Sequence, residues 1–226
     1  TKSMNREQQI IESWKVNASN WIGIIKKNGI ESRRLVTNQA IIEMVCKCSP
    51  LSVWDIGCGE GWLAKVLGER GIEVSGTDIV QEFIEAASQK IKGDFFVASY
   101  EDIASGTFAF SKTFDAVVIN FALIGKESTE QLLASIARYL NPGGMLFIQT
   151  LHPYNRKLIS DYQTGWKEGS WDGLGDQFIK PYHWYFRTLE DWLELLDQSG
   201  FRKVGYTEVL HPVSNNLLSV IFECQV

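Results

Sequence analysis

The sequence predicts an α/β protein: a doubly wound, mostly parallel sheet of seven strands that finishes in a C-terminal antiparallel hairpin. Three observations predict it. Short apolar runs of strand length alternate with stretches of helical periodicity from residue 51 to about residue 150, the alternation that builds a parallel sheet with helices on both faces. The first run, residues 51–56, stops at three alternating glycines, Gly57, Gly59 and Gly61. The last two runs, residues 201–210 and 217–224, are joined by a short loop without a helix, which makes them an antiparallel pair at one sheet edge.

In chain order, residues 5–27 carry an apolar stripe at helical spacing, including Ile10, Trp14, Ala18, Trp21 and Ile25, and Asn28-Gly29 ends it. The two tryptophans read as core. Residues 30–34 are a polar connector, and a second helix over about 37–46 buries Ile41, Ile42 and Val45. Strands follow at 72–77, 95–98, 114–120 and 145–150, separated by helices at about 81–92 and 128–140. The run 114–120 is apolar on both faces, as a central parallel strand should be. Asn141-Pro142-Gly143-Gly144 reads as a sharp turn into the fifth strand. Periodicity fails over 151–187, which is rich in Tyr and Trp; an irregular connection this long is usually functional or mobile. A helix capped by Thr188 then precedes the hairpin. With no repeat and no obvious linker, the expectation is one domain over 1–226. Its parts are N-terminal helices at 1–50, a ligand-binding core at 51–151, a lid or substrate segment at 152–187, and a C-terminal helix and hairpin at 188–226.

A strand, a glycine turn and a helix start suit a nucleotide-type ligand, because glycine lets the backbone approach and the helix offers unpaired N–H groups. Asp55 sits two residues before the first glycine, where an acid can face a cation. Asp78, at the tip of the second strand, is placed to accept hydrogen bonds from ribose hydroxyls. Trp62 occupies the place of the third glycine of a dinucleotide fingerprint, which speaks against an NAD-linked oxidoreductase.

The run D-I-G-C-G-E-G at 55–61 resembles the first motif of the class I S-adenosylmethionine-dependent methyltransferases. The passage L-N-P-G-G-x-L at 140–146 resembles that family's entry to its fifth strand. The resemblance covers roughly 51–151 and is strongest to the small-molecule branch of ubiquinone and menaquinone biosynthesis methyltransferases. It implies a Rossmann-like fold and S-adenosylmethionine as cofactor. It also implies that Gly57, Cys58 and Gly59 approach the methionine end, with Asp55 near the ammonium. Asp78 would take the ribose, Ile79 would pack on the adenine, Ser99 or Tyr100 would border the adenine edge, and Asn120 and Phe121 would lie beside the sulfonium. The sequence Asn120-Phe121-Ala122-Leu123 departs from the N-P-P-[YF] motif of enzymes that methylate adenine or glutamine amino groups.

Arg33 is a candidate clamp for the cofactor carboxylate, with Arg34 as an alternative. For an acceptor hydroxyl, a general base assists. His152, directly after the fifth strand, is the first candidate, His183 among the aromatics the second, and His211 a weaker third. The reading is methyl transfer to a small molecule, at oxygen before nitrogen or carbon. A cofactor-binding regulatory protein without turnover, an NAD-linked oxidoreductase and an RNA methyltransferase stand as alternatives.

A formal net charge of -5 argues against a phosphate-backbone partner, and only short basic runs occur. Four cysteines form no disulfide framework, and no metal-ligand spacing appears, so no metal is expected. No apolar run approaches a membrane span. The expected setting is a reducing cytoplasm.

Overall fold

A computed structural model describes residues 4–155 and 160–226. Among the described residues, seven strands form one sheet in the order β3-β2-β1-β4-β5-β9-β8. They are β1 (Ser52–Ile56), β2 (Glu73–Asp78), β3 (Asp94–Val97), β4 (Phe114–Asn120), β5 (Leu140–Leu151), β8 (Lys203–Leu210) and β9 (Leu217–Gln225). β1 to β5 pair in parallel, and β9 alone runs the other way, inserted between β5 and the edge strand β8. The strand order reverses between β1 and β4. Ligands of such sheets bind outside the carboxyl ends of the strands at that reversal.

The pleat of β1 shows how the two faces are filled. Val53 joins a cluster with Ile41, Ile42 and Val45 of α2 (Asn38–Lys47) and Leu63, Ala64 and Leu67 of α3 (Trp62–Glu69). Ala87 of α4 (Gln81–Lys90) packs on the same face. Trp54 and Ile56 point the other way. They meet Ile103 of α5 (Tyr100–Ser105), Leu132, Leu133 and Ile136 of α6 (Glu127–Ile136), and Trp192 of α7 (Leu189–Asp197). Trp54 is fully buried against Phe110, Phe114 and Tyr139, and its indole N–H donates to Thr77 Oγ1 at 3.0 Å. Trp54→Ala is expected to cost about 3–5 kcal/mol of stability, the range for losing a buried large side chain. Urea unfolding of the two proteins checks it.

Three elements differ from the sequence reading. The connector at 30–34 is helical from Glu31 on: a π-turn, Arg33–Thr37, runs directly into α2. The Asn141-Pro142-Gly143-Gly144 passage lies within β5, and the pairing register with β4 shifts between Phe114 and Ala116. The segment 152–187 carries a second, two-stranded antiparallel sheet, β6 (Gly165–Lys167) with β7 (Trp184–Phe186). Its residues 156–159 lie outside the described residues.

The first helix, α1 (Arg6–Lys26), joins that segment to the core. Trp171, Phe178 and Tyr182 pack with Ile10 and Trp14, and Asn17 bonds both backbone groups of Ile179, at 2.6 and 2.9 Å. At its start, α1 is tied to α6. Lys126 at the α6 N-cap makes no side-chain cap bond. The Glu7 carboxylate accepts the N–H groups of Lys126 and Glu127 at 2.8 and 3.0 Å and the Ser128 hydroxyl at 2.7 Å. An acid there also complements the helix dipole.

Candidate active site

A cavity of about 430 Å³ lies at the carboxyl ends of β1, β2 and β4, with α1 across it. Of the candidate cofactor-binding residues, Arg33, Gly57, Cys58, Gly59, Asp78, Ile79, Ser99, Tyr100, Asn120 and Phe121 all line it. Asp55 does not. It is buried beneath the loop, and burial, then the nearby Asp78 and Glu60 charges, push its carboxyl up to about 8.

The loop after β1 is held by its neighbour strand. The N–H groups of Gly57 and Cys58 both donate to Thr77 O, at 2.8 and 3.0 Å. Gly57 has φ +70, and a Cβ there would stand 2.6 Å from Ala122 Cβ and 2.8 Å from the Tyr100 hydroxyl. Gly59, at φ +55, has open space where its Cβ would be. The loop therefore presents bare backbone to the cavity, as a ligand that comes close requires.

Asp78 closes the other side. Its Oδ2 accepts the Gly59 N–H at 3.0 Å and its Oδ1 the Val80 N–H at 2.9 Å. Burial outweighs these bonds and pushes the carboxyl up to about 6. Each carboxylate oxygen keeps acceptor capacity for a further donor. Tyr100 donates its hydroxyl to Ala122 O at 2.8 Å, and Ser99 caps α5 by accepting the Asp102 N–H. At the tip of β4, the Asn120 amide oxygen accepts from Gln149 at 2.7 Å, and Phe121 is held at φ +52. A bulky residue in that region is an outlier, of the kind that clusters at ligand sites.

Arg33, and not Arg34, lines the cavity. Its guanidinium carbon lies 5.4 Å from the ring centroids of both Trp21 and Trp62. The π-turn that starts at Arg33 puts it there; such turns recur at functional sites.

None of the three histidine candidates for a catalytic base lines the cavity. β5 continues one residue beyond its expected end, and the His152 N–H bonds Leu218 O on β9 at 3.1 Å. The ring is fully buried, with Nδ1 accepting the Tyr154 N–H and Nε2 3.8 Å from Glu208 on the edge strand. Burial lowers its pKa, favouring the neutral ring. His183 precedes β7 and sits 3.2 Å from Glu168, outside the lining. His211 accepts the N–H groups of Val213 and Ser214 in the hairpin loop. His183→Ala is accordingly expected to leave cofactor affinity and turnover within about twofold of wild type, on the scale of a surface substitution. A radiolabelled methyl-transfer assay checks it.

The expected lid is also displaced. No described residue of 152–187 lines the cavity, because its aromatic rings pack on α1 instead. α1 itself supplies Gln8, Ile11, Trp14 and Trp21 to the wall, so these tryptophans are both packed and exposed to the cavity. Sequence reasoning also passed over Glu60, which lines the cavity with both carboxylate oxygens buried and without a hydrogen-bond partner. The available signal was an acid inside a glycine loop.

Residues 54–148 match the family model described as a methyltransferase domain. The ubiquinone biosynthesis O-methyltransferase of Rickettsia felis is 24% identical over 208 residues, 88% of this chain and 82% of that protein. The chain spans 54–66% of the length of further Rickettsia proteins of the same name. Among solved structures, an S-adenosylmethionine-dependent methyltransferase from Mesorhizobium loti superposes with a TM-score of 0.60 at 20% identity, covering 78% of this chain and 91% of that one. The plantazolicin methyltransferase, solved with S-adenosylhomocysteine, superposes with 0.66 at 17% identity over 97% of both chains. At such identities the structural likeness speaks to the fold.

The residues present fit S-adenosylmethionine. Its amino acid end is zwitterionic and its sulfur carries a positive charge. The cavity wall offers acids, one arginine and a backbone cradle, and no lysine or histidine lines it among the described residues.

Proposed function

We propose that this chain, which carries a class I S-adenosylmethionine-dependent methyltransferase domain, methylates a hydroxyl of a small, flat acceptor. The observation that carries this reading is the acidic, glycine-floored cavity, which Asp78 and Glu60 line together with Arg33, its one arginine among the described residues. The cofactor supplies an electrophilic methyl group whose thioether leaves readily. The chain's own work is then alignment and exclusion of water. In this reading Asp78 holds the ribose hydroxyls, Ile79 and Tyr100 flank the adenine, and Arg33 clamps the carboxylate. Asn120 and Phe121 border the reacting methyl. The remaining wall, from Gln8, Ile11, Ser128 and Gln131, is left for the acceptor.

With no histidine lining the cavity among the described residues, an acceptor hydroxyl must be acidic enough to lose its proton to a carboxylate or to water. That favours a phenol, with pKa about 10, over an alcohol. The names of the Rickettsia relatives agree with oxygen as the acceptor atom. A dinucleotide suits the same cavity poorly, since its pyrophosphate would meet Glu60 and Asp78. Free thiols at Cys46, Cys48, Cys58 and Cys224 agree with a reducing cytoplasm.

The experiment is incubation with S-adenosylmethionine and panels of phenols, amines and carboxylic acids, followed by mass spectrometry. A mass gain of one methyl on phenols supports the reading. Methylation confined to amines would overturn the oxygen assignment, and none at all, in protein that binds the cofactor, would favour a regulatory role.

A further inference from the structure

We propose that Glu60 is the partner of the cofactor's α-ammonium group, acting opposite Arg33, which takes the carboxylate of the same amino acid end. This rests on the reading that the cavity binds S-adenosylmethionine. Glu60 is 8% exposed, lies between Gly59 and Gly61 at the start of α3, and lines the cavity. Neither of its carboxylate oxygens has a hydrogen-bond partner. The N–H groups of Glu60 and Trp62 are near enough to favour the charged form in part, but burial wins and raises its pKa. A buried carboxylate without a partner is costly. One that persists in a cavity wall is explained by a donor that arrives with the ligand.

The neighbourhood says which donor. Arg33 is close enough for its charge to act on Glu60, yet no ion pair within 4.0 Å joins them among the described residues. Arg33 is held instead over Trp21 and Trp62. An acid and a base that both line one cavity and are not bonded to each other match a zwitterion that bridges them once the buried Glu60 carboxylate turns toward it. A neutral ligand group would leave the Glu60 charge unmet, and an anionic one would be repelled. The ammonium offers three donors and a full charge. Asp55, expected from sequence to serve the ammonium, is outside the cavity lining, and burial pushes its carboxyl up to about 8. Glu60 takes that place.

The test is calorimetric titration of wild type, Glu60→Gln and Glu60→Asp with two ligands. These are S-adenosylhomocysteine and its deaminated analogue, in which hydrogen replaces the α-ammonium. Glu60→Gln is expected to weaken S-adenosylhomocysteine roughly ten- to hundredfold, the scale of a lost charge-assisted hydrogen bond. It should leave the analogue within about twofold of its wild-type affinity. Glu60→Asp, which keeps the charge but draws it back, should fall between. The ligand-free Glu60→Gln protein should melt at or above the wild-type temperature, because the substitution removes an unmet buried charge. Equal losses for both ligands, or no loss for either, would overturn the assignment while the cofactor reading stands. Failure of wild type to bind S-adenosylhomocysteine would overturn both.

Discussion

Asp78→Ala is expected to weaken S-adenosylhomocysteine binding by about thirtyfold to a hundredfold, the equivalent of roughly 2–3 kcal/mol of hydrogen bonding to a charged group. The carboxylate stands in the cavity wall with both oxygens already bonded to backbone N–H groups, of Gly59 and Val80. Those bonds orient it, and its spare lone pairs are what a pair of ribose hydroxyls would use. The same group sets a pH dependence. Its pKa in the free protein is about 6, above the ordinary carboxylate value of 3.8, because burial disfavours the charge. Ribose hydroxyls donate to the ionised form. Affinity should therefore be constant above pH 6 and fall by up to about tenfold per pH unit below it. For stability the sign is reversed: the raised pKa means that Asp78 contributes most below pH 4, and that contribution is lost as pH rises to about 6. Titrations at pH 5, 6, 7 and 8 on wild type and Asp78→Asn separate the two. The pH slope of affinity between 5 and 6 should be steeper in the wild type than in the variant, which keeps only the part that Glu60, also raised by burial, supplies.

The second large effect is Gly57→Ala. The added methyl would meet Ala122 and the Tyr100 hydroxyl well inside contact distance, at a residue held with φ +70. Left-handed backbone for a non-glycine residue and overpacking together cost about 2–5 kcal/mol. Tyr100 has little room to yield, since its hydroxyl is bonded to Ala122 O. The expected outcome is a large drop in melting temperature together with loss of S-adenosylhomocysteine binding. Gly59→Ala is the informative control. Its Cβ meets nothing in the free protein, so the substitution is expected to cost less stability, through φ +55 alone, while still hindering the ligand. Differential scanning calorimetry with and without ligand reads both.

Much of the site could be read from sequence because its signals are local. β1 and the glycines follow one another within ten residues, and Asp78 ends an alternating strand, so register and position come from neighbours in the chain. Much of what sequence missed depends on contacts between residues far apart in the chain. The aromatic rings of 171–182 mark a packed segment, but only the fold shows that α1 stands between them and the cavity. His152 sits at the correct end of the correct strand; pairing with β9 turns its ring toward Glu208 and away from the cavity. Arg33 was identifiable as a cation near the site, but the π-turn that aims it interrupts helical periodicity and resembles a polar connector. Glu60 was visible as a letter of the glycine motif. Its significance lies in having no partner, which is a property of three dimensions.

Calorimetric titration of the wild-type protein with S-adenosylhomocysteine, alongside NADH, tests the central claim most directly. The expected result is saturable one-to-one binding of S-adenosylhomocysteine and none of NADH. Absence of S-adenosylhomocysteine binding by folded protein, or binding of NADH at the same site, would contradict it.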